Sequence, residues 1–197
     1  MALAGKLVIP GGSFNDTDLY LSTTDLQWFG TTVVAKVFRR SRPLSCAFLL
    51  AWTTDKINKK HGPDEHDEQA VFVSMAKAAG CHLHSVPNGG FRDMGTAIKM
   101  KREGMSPGAP DLVVLTGNAV DPMMGVPIVA LEFKKANGTL GDFSPLQLKW
   151  LETYHTLTGG RADAAGVFGY DAGLAVLEMR NYAVPKRAVD KYSKRAG

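Results

Sequence analysis

The chain has 197 residues, a hydrophobic fraction of 45% and a formal net charge of +4 at pH 7, which predicts a folded and mildly basic protein. Its apolar runs are shorter than the roughly 18 residues of a membrane-spanning helix, and its first residues lack the apolar region of a secretory signal. We therefore expect a cytoplasmic protein in which Cys46 and Cys81 stay reduced.

Residues 1–60 are predicted to form an N-terminal extension of unknown role. Within it, the β-branched residues at 31–38 predict a strand, and the segment 44–58, which follows Pro43, predicts a helix. A Gly-Pro pair at Gly62 and Pro63 interrupts the pattern. This interruption places a boundary before a second domain at 61–182, and a basic tail follows at 183–197.

The second domain alternates helical and strand patterns. An acidic first turn, apolar residues at helical spacing and Gly80 as a stop predict a helix over 64–79. Ser144 as a cap and Pro145 at the first helical position predict another helix through residue 157. The remaining predictions are strands at 81–86, 111–115, 127–135 and 164–170, and short helices at 94–103 and 171–179. Omitting those short helices, the order of helix, three strands, helix and strand predicts an α/β fold with a mixed β-sheet flanked by helices.

Two acids and a lysine are expected to meet at the end of two of these strands. Side chains alternate faces along a strand, so Glu132 and Lys134 share one face of the strand at 127–135. If the strand at 111–115 pairs with it as a hairpin, Asp111 lies beside Glu132. Paired carboxylates suit Mg²⁺, and a neighbouring lysine suits the orientation of an attacking water and the stabilisation of phosphate charge. The alternative is a salt bridge at a strand end.

These residues resemble a known signature. Pro110-Asp111 followed by Glu132-Phe133-Lys134 resembles the PD-(D/E)XK nuclease motif. The ordered set over about residues 64–180 resembles the VRR-NUC branch of that superfamily. Its further members here are Pro87-Asn88-Gly89-Gly90-x-Arg92, Gly108-x-Pro110-Asp111-Leu112, and Ser144-Pro145 with Gln147 and Trp150-Leu151. The resemblance implies a restriction-endonuclease-like core.

The resemblance also implies further site residues. A glutamate in the first core helix completes the metal site in such proteins, and Glu68 is the matching residue. It lies four residues before Phe72, on the core-facing side of its helix. The backbone carbonyl of Phe133 is expected as a metal ligand and Gln147 as a support for the lysine or the water. As alternatives, Glu68 complements the helix dipole and Gln147 is an ordinary polar helix residue.

DNA contacts are expected from a loop and a helix near the metal. Guanidinium and ammonium groups position a nucleic-acid backbone without reading its sequence, although a solvated helix face is the alternative. The expected DNA-binding residues are Asn88, Gly89, Gly90, Arg92, Lys99, Lys101 and Arg102.

The predicted function is a Mg²⁺-dependent DNA endonuclease, with Mn²⁺ expected to substitute. Standalone members of this branch resemble phage and bacterial enzymes that cut branched DNA such as Holliday junctions, often as dimers, which implies a homodimer and a bacterial or phage-infected host cell. One alternative is a nicking or sequence-specific endonuclease in which residues 1–60 recognise the target. The other is a non-catalytic DNA-binding protein that keeps the nuclease fold.

Overall fold

A mixed sheet forms the centre of the structure, a computed structural model that describes residues 9–54, 64–86, 94–115, 128–157 and 163–179. The strands within these ranges are β1 (Leu19–Leu21), β2 (Gln27–Phe29), β3 (Thr32–Arg39), β4 (Arg42–Thr53), β5 (His82–Ser85), β6 (Leu112–Leu115), β7 (Ile128–Lys134) and β8 (Asp163–Phe168). The helices are α1 (Glu65–Ala78), α2 (Met94–Arg102), α3 (Pro145–Leu157) and α4 (Tyr170–Met179).

The eight strands form one sheet in the order β1-β3-β4-β8-β7-β6-β5, and β2 also pairs with β3. The central pairs β4–β8 and β8–β7 are parallel, whereas β3–β4, β7–β6 and β6–β5 are antiparallel. The α/β class and the mixed sheet flanked by helices are therefore confirmed. The predicted elements between residues 64 and 179 all occur, in the predicted order.

Helices cover both faces of the sheet because β7 is apolar on both of its sides. Leu131 and Phe133 face a core that includes Phe72 of α1 and residues of α4. Ala130 faces a second core that includes Leu148 of α3. Alternation along one strand thus assigns Glu132 and Lys134 to the α3 side. None of the helices in the described ranges combines the length and apolar character that crossing a membrane requires.

The helix predicted over 44–58 is wrong, since residues 42–53 form strand β4. An unbroken apolar run fits either a buried helix or a strand that is buried on both faces. Here Phe48 and Leu50 pack in the α3-side core, while Leu49 and Ala51 pack in the opposite core. The strand predicted at 31–38 is confirmed as β3.

The predicted N-terminal extension supplies half of the strands in the sheet. β4 pairs with β8 in a parallel register that aligns Leu49 with Ala165 and Trp52 with Phe168. The segment therefore shares both cores with the second predicted domain. The tail at 183–197 lies outside the described residues.

Arg39 ties β3 to α3 and to the loop before β1. Its Nε and Nη2 donate to the two carboxylate oxygens of Glu152 at 2.6 Å each, and its Nη1 donates to Asp16 at 2.8 Å. These contacts raise the pKa of the Arg39 guanidinium above its usual value, chiefly through the hydrogen bonds to Glu152. Because both side chains of the Arg39–Glu152 pair are about 80% buried, this bidentate pair stabilises the position of α3 on the sheet.

Candidate active site

Asp111 and Glu132 lie side by side where β6 begins and β7 ends. The antiparallel register pairs Leu112 with Leu131, so the residue before β6 stands opposite Glu132. The Asp111 Oδ2 accepts a hydrogen bond of 2.8 Å from the backbone N–H of Phe133. The hairpin pairing expected from the sequence is confirmed, and it holds both carboxylates at one edge of the sheet.

Lys134 is buried together with Glu132. Lys134 and Glu132 are only 5% and 1% exposed, and such burial is costly for charged groups unless they are paired. Lys134 Nζ donates to Glu132 Oε1 at 2.7 Å and to the carbonyl oxygen of Phe133 at 2.8 Å. It also lies 5.4 Å from the centre of the Phe143 ring. The lysine is thus held in one position by a carboxylate, a carbonyl and an aromatic face.

Gln147 links the first turn of α3 to this cluster. The Gln147 Oε1 accepts from the backbone N–H of Ser144 at 2.8 Å, and the Ser144 hydroxyl accepts from the backbone N–H of Gln147 at 3.3 Å. This reciprocal pair is a capping box, in which the third helical residue returns to the cap. The amide nitrogen of Gln147 donates to Glu132 Oε1. Capping therefore fixes the orientation in which Gln147 meets Glu132.

Two glutamates of α1 make different contacts. Glu65 Oε1 lies 3.8 Å from Lys134 Nζ, and its side chain is 39% exposed. Glu68 Oε2 instead accepts from the backbone N–H of Tyr170 at 2.8 Å, at the start of α4. Glu65 is the α1 carboxylate that faces the acid cluster, and sequence reasoning treated it only as a first-turn acid. The ligand role of Glu68 stays a prediction.

The sequence partly indicated that Glu65 faces the site. Residues three apart lie on one face of a helix, so the core-facing assignment of Glu68 applies also to Glu65. The choice between them depends on where α1 begins relative to β7, which is a tertiary relationship. Asp64 starts the helix by accepting from the backbone N–H groups of His66 and Asp67. The first helical residue, Glu65, is therefore the one placed over the strand end.

Burial dominates the electrostatics of the site. It raises the pKa of Glu132 from 4.5 to about 8, with a further rise from the Asp111 carboxylate and an opposing effect of Lys134. Burial also raises the pKa of Asp111, opposed by the Phe133 N–H and Lys134, and the pKa of Glu65, opposed by Lys134. A buried carboxyl group beside a second acid is stabilised either by a bound proton or by an added cation.

The donor set fits a hard cation. Glu132 Oε2 is buried and has no hydrogen-bond partner among the described residues, although such atoms are normally paired. The described ranges contain no group of three or more His, Cys, Asp or Glu side chains arranged to hold a metal ion. Asp111 and Glu132 nevertheless offer the one or two carboxylates that Mg²⁺ usually takes from a protein, and the Phe133 carbonyl adds an oxygen.

The loop before Asp111 rests on the start of α3. Gly108 has a φ of +81°, and a Cβ atom there would lie 2.7 Å from the backbone carbon and the Cβ of Leu146. Only glycine combines that backbone angle with so close an approach. The contact places Asp111 and Gln147 on a common support, so that these two neighbours of the Glu132 carboxylate are positioned together.

The predicted DNA-binding residues are only partly described. Lys99, Lys101 and Arg102 are exposed in the last part of α2. The predicted contacts at 88–90 and 92 lie outside the described residues. The structure thus provides an exposed basic helix end.

Four predicted site residues meet in one cluster: Asp111, Glu132, Lys134 and Gln147. Phe133 joins them through its backbone N–H and carbonyl. Comparison of the chain with protein-family models, with curated proteins and with solved structures finds no match.

Proposed function

We propose that the chain is a Mg²⁺-dependent DNA endonuclease with a restriction-endonuclease-like core of the PD-(D/E)XK, VRR-NUC type. The observation that carries the proposal is the buried Glu132. It lies beside Asp111 and is hydrogen-bonded to Lys134 through one oxygen, while its other oxygen has no hydrogen-bond partner within the part of the chain that the structure describes. A purely structural ion pair gives no reason to bury an additional acid next to it. An acid pair with a fixed lysine fits phosphodiester hydrolysis.

Asp111, Glu132 and the Phe133 carbonyl would hold the metal ion. When bound, Mg²⁺ supplies neutralisation of phosphate charge and makes water easier to deprotonate. Glu65 lies close enough to the cluster to contribute a further carboxylate oxygen or to bind a coordinated water. We expect Mn²⁺ to substitute, because it also prefers oxygen ligands.

Lys134 provides the positive charge that faces the substrate. Its ammonium group has three N–H donors, of which two are directed at Glu132 and the Phe133 carbonyl. No described residue accepts a hydrogen bond from the third donor, which would serve a phosphate oxygen or the attacking water. Gln147 supports this arrangement by binding the same oxygen of Glu132 that accepts from Lys134. The chain thereby holds its donor in place before the substrate arrives.

DNA is the proposed substrate because exposed basic residues accompany the acid cluster. The net charge is +4, and Lys99, Lys101 and Arg102 form an exposed basic helix end. Such groups supply contacts to the phosphate backbone. Branched DNA and a homodimer remain proposals that rest on the VRR-NUC resemblance. A nicking or sequence-specific enzyme is the alternative substrate assignment, and a non-catalytic DNA-binding protein is the alternative function.

Cleavage assays with the full chain test the proposal. Linear duplex, nicked, flap and four-way-junction DNA are incubated with Mg²⁺, Mn²⁺ or EDTA. We expect metal-dependent cleavage that falls by about 100-fold or more in Lys134→Ala and Asp111→Ala. Lys135→Ala is the matched control, because it removes the adjacent but exposed lysine. Full activity in Lys134→Ala would overturn the assigned role.

Metal binding is measured separately from cleavage. We expect Mg²⁺ to raise the thermal unfolding temperature of the unmodified chain, since a ligand that binds only the folded state stabilises it. Asp111→Asn should abolish this rise while keeping an oxygen that accepts from the Phe133 N–H. DNA binding with no cleavage in either Mg²⁺ or Mn²⁺ would instead support the non-catalytic alternative.

A further inference from the structure

A cavity of about 520 Å³ lies next to the acid cluster, between the C-terminal part of α2, the helix α3 and the strands β5 and β6. This volume is within the roughly 300–1,000 Å³ of small-molecule sites. The lining residues that matter for its chemistry are His84, Met100, Pro110, Val113, Trp150 and Tyr154. The cavity is mostly apolar and is bounded by two aromatic side chains.

The elements that build the acid cluster also build this cavity. On α3, Gln147 contacts Glu132, and Trp150 and Tyr154 follow it at intervals of three and four residues, which places all three on one helix face. On the paired strand, Asp111 and Val113 share a face. Pro110 lines the cavity and is covalently joined to Asp111. The cavity therefore lies next to the proposed cleavage site.

The surroundings of the cavity match the chemistry of a nucleotide. Trp150 and Tyr154 are half-buried and offer aromatic surface, on which any base can stack. Exposed Glu103 and His84 add polar groups suited to the edge of a base. Met100 lines the cavity, and its neighbours Lys99 and Lys101 are exposed cations that suit the attached phosphates.

We propose that this cavity receives the base of an unpaired nucleotide adjacent to the cleaved phosphate, stacked against Trp150 and Tyr154. The inference rests on the proposed function and names the feature of DNA that the enzyme selects. A base in a regular duplex must first be unpaired and unstacked before it can enter such a pocket, whereas a flap or single strand presents it without that cost. The site consequently prefers DNA with unpaired nucleotides at the cut.

Binding experiments in EDTA test this inference without cleavage. Single-stranded and flap oligonucleotides carry 2-aminopurine, a base analogue whose fluorescence falls on stacking, and the unmodified chain is expected to quench it. Trp150→Leu should weaken single-strand binding by about 5- to 150-fold, as the loss of one stacked base predicts. Duplex affinity should stay unchanged. Trp150→Phe, which keeps an aromatic ring, should retain most of the binding.

Trp28→Leu is the matched control, because Trp28 is a partly exposed tryptophan on β2 and does not line the cavity. Circular dichroism and thermal unfolding check that each variant folds. An oligonucleotide with one abasic position gives a second measurement that needs no variant, and its loss of affinity should match that of Trp150→Leu.

The outcomes separate the two proposals. Absence of quenching and equal affinity for single-stranded and duplex DNA, in a chain that cuts DNA with Mg²⁺, overturns the base pocket and leaves the nuclease assignment standing. Quenching that depends on Trp150 in a chain that never cuts DNA supports the pocket and overturns the nuclease assignment. Quenching that persists unchanged in a folded Trp150→Leu variant overturns the pocket.

Discussion

The backbone N–H of Phe133 and the carboxylate of Asp111 form a hydrogen bond of 2.8 Å just beyond the last paired residues of β6 and β7. Asp111 therefore adds a hydrogen bond at the open end of the β6–β7 hairpin and also lies beside Glu132. Removing its side chain alters both the backbone pairing and the charge. Asp111→Asn, which keeps an acceptor for this N–H, isolates the loss of charge from the loss of the hydrogen bond.

The two glutamates of α1 should respond differently to substitution. Glu65→Gln is expected to lower cleavage about tenfold or more with little change in stability, because its half-exposed carboxylate faces Lys134. Glu68→Ala is expected to cost about 1 kcal/mol of unfolding free energy, since it removes the acceptor for the first backbone N–H of α4. Steady-state cleavage and urea unfolding of both variants measure the difference. A larger loss of activity in Glu68→Gln than in Glu65→Gln would support the sequence-based assignment of Glu68 as a metal ligand.

Stability without metal should depend on pH through Glu132. Its pKa is raised from 4.5 to about 8, so between these values the folded chain holds a proton that the unfolded chain releases. The contribution of Glu132 to stability is therefore present at acidic pH and lost as the pH rises toward 8, with a slope of at most about 1.4 kcal/mol per pH unit. Glu132→Gln should remove this slope.

Urea unfolding in EDTA from pH 5 to 8.5 measures that dependence. Glu178→Gln on α4 is the control, because this glutamate is exposed and should leave the profile unchanged. Identical pH profiles for the unmodified chain and Glu132→Gln would contradict the prediction. Adding Mg²⁺ should flatten the profile of the unmodified chain, since a bound cation replaces the proton.

Gln147 offers a test that separates capping from the contact with Glu132. Gln147→Glu keeps an oxygen for the Ser144 N–H but loses the donor to Glu132, whereas Gln147→Ala loses both. We expect both variants to lose activity. Gln147→Ala should lose about 0.5–2 kcal/mol of stability with its cap, whereas Gln147→Glu should lose stability where its carboxylate ionises beside Glu132, so that its deficit shrinks at acidic pH. Full activity in Gln147→Glu would show that the contact with Glu132 is dispensable. Leu146→Ala, at the exposed preceding position, serves as the control.

The Arg39–Glu152 pair should stabilise the fold more than a surface pair does. A double-mutant cycle with Arg39→Met and Glu152→Gln is expected to give a coupling of about 1.5–3 kcal/mol, because the pair is bidentate and largely buried. The matched pair Lys36–Asp25 is mostly exposed and should give at most about 1 kcal/mol. Equal couplings in the two cycles would indicate that α3 is held by its apolar contacts alone.

Local patterns predicted the strand pair and the cap of α3 well. The alternation around Glu132 and Lys134 and the Ser144-Pro145 start depend only on short-range geometry, and both occur as expected. The helix predicted over 44–58 failed because its apolar run has no periodicity that separates a helix from a fully buried strand. The neighbours that supply its hydrogen bonds, β3 and β8, are not visible in the local sequence.

The composition of the acid cluster was only partly predictable for a similar reason. Asp111 and Glu132 follow from strand register, whereas the choice between Glu65 and Glu68 depends on how α1 packs over β7. Glu68 reaches the start of α4, an element that begins about a hundred residues later. Packing between distant segments thus decides which of two acids on one helix face meets Lys134.

The parallel pairing of Leu49 with Ala165 has a consequence for how the chain is made. Strand β4 leaves the ribosome long before β8 is synthesised. The edge of β4 that pairs with β8 therefore stays unpaired while most of the chain is still being added. Closing so long a loop is entropically costly and slows folding. A fragment that begins at residue 61 would lack β4 and would expose the edge of β8 that pairs with it. Exposed strand edges promote pairing between chains.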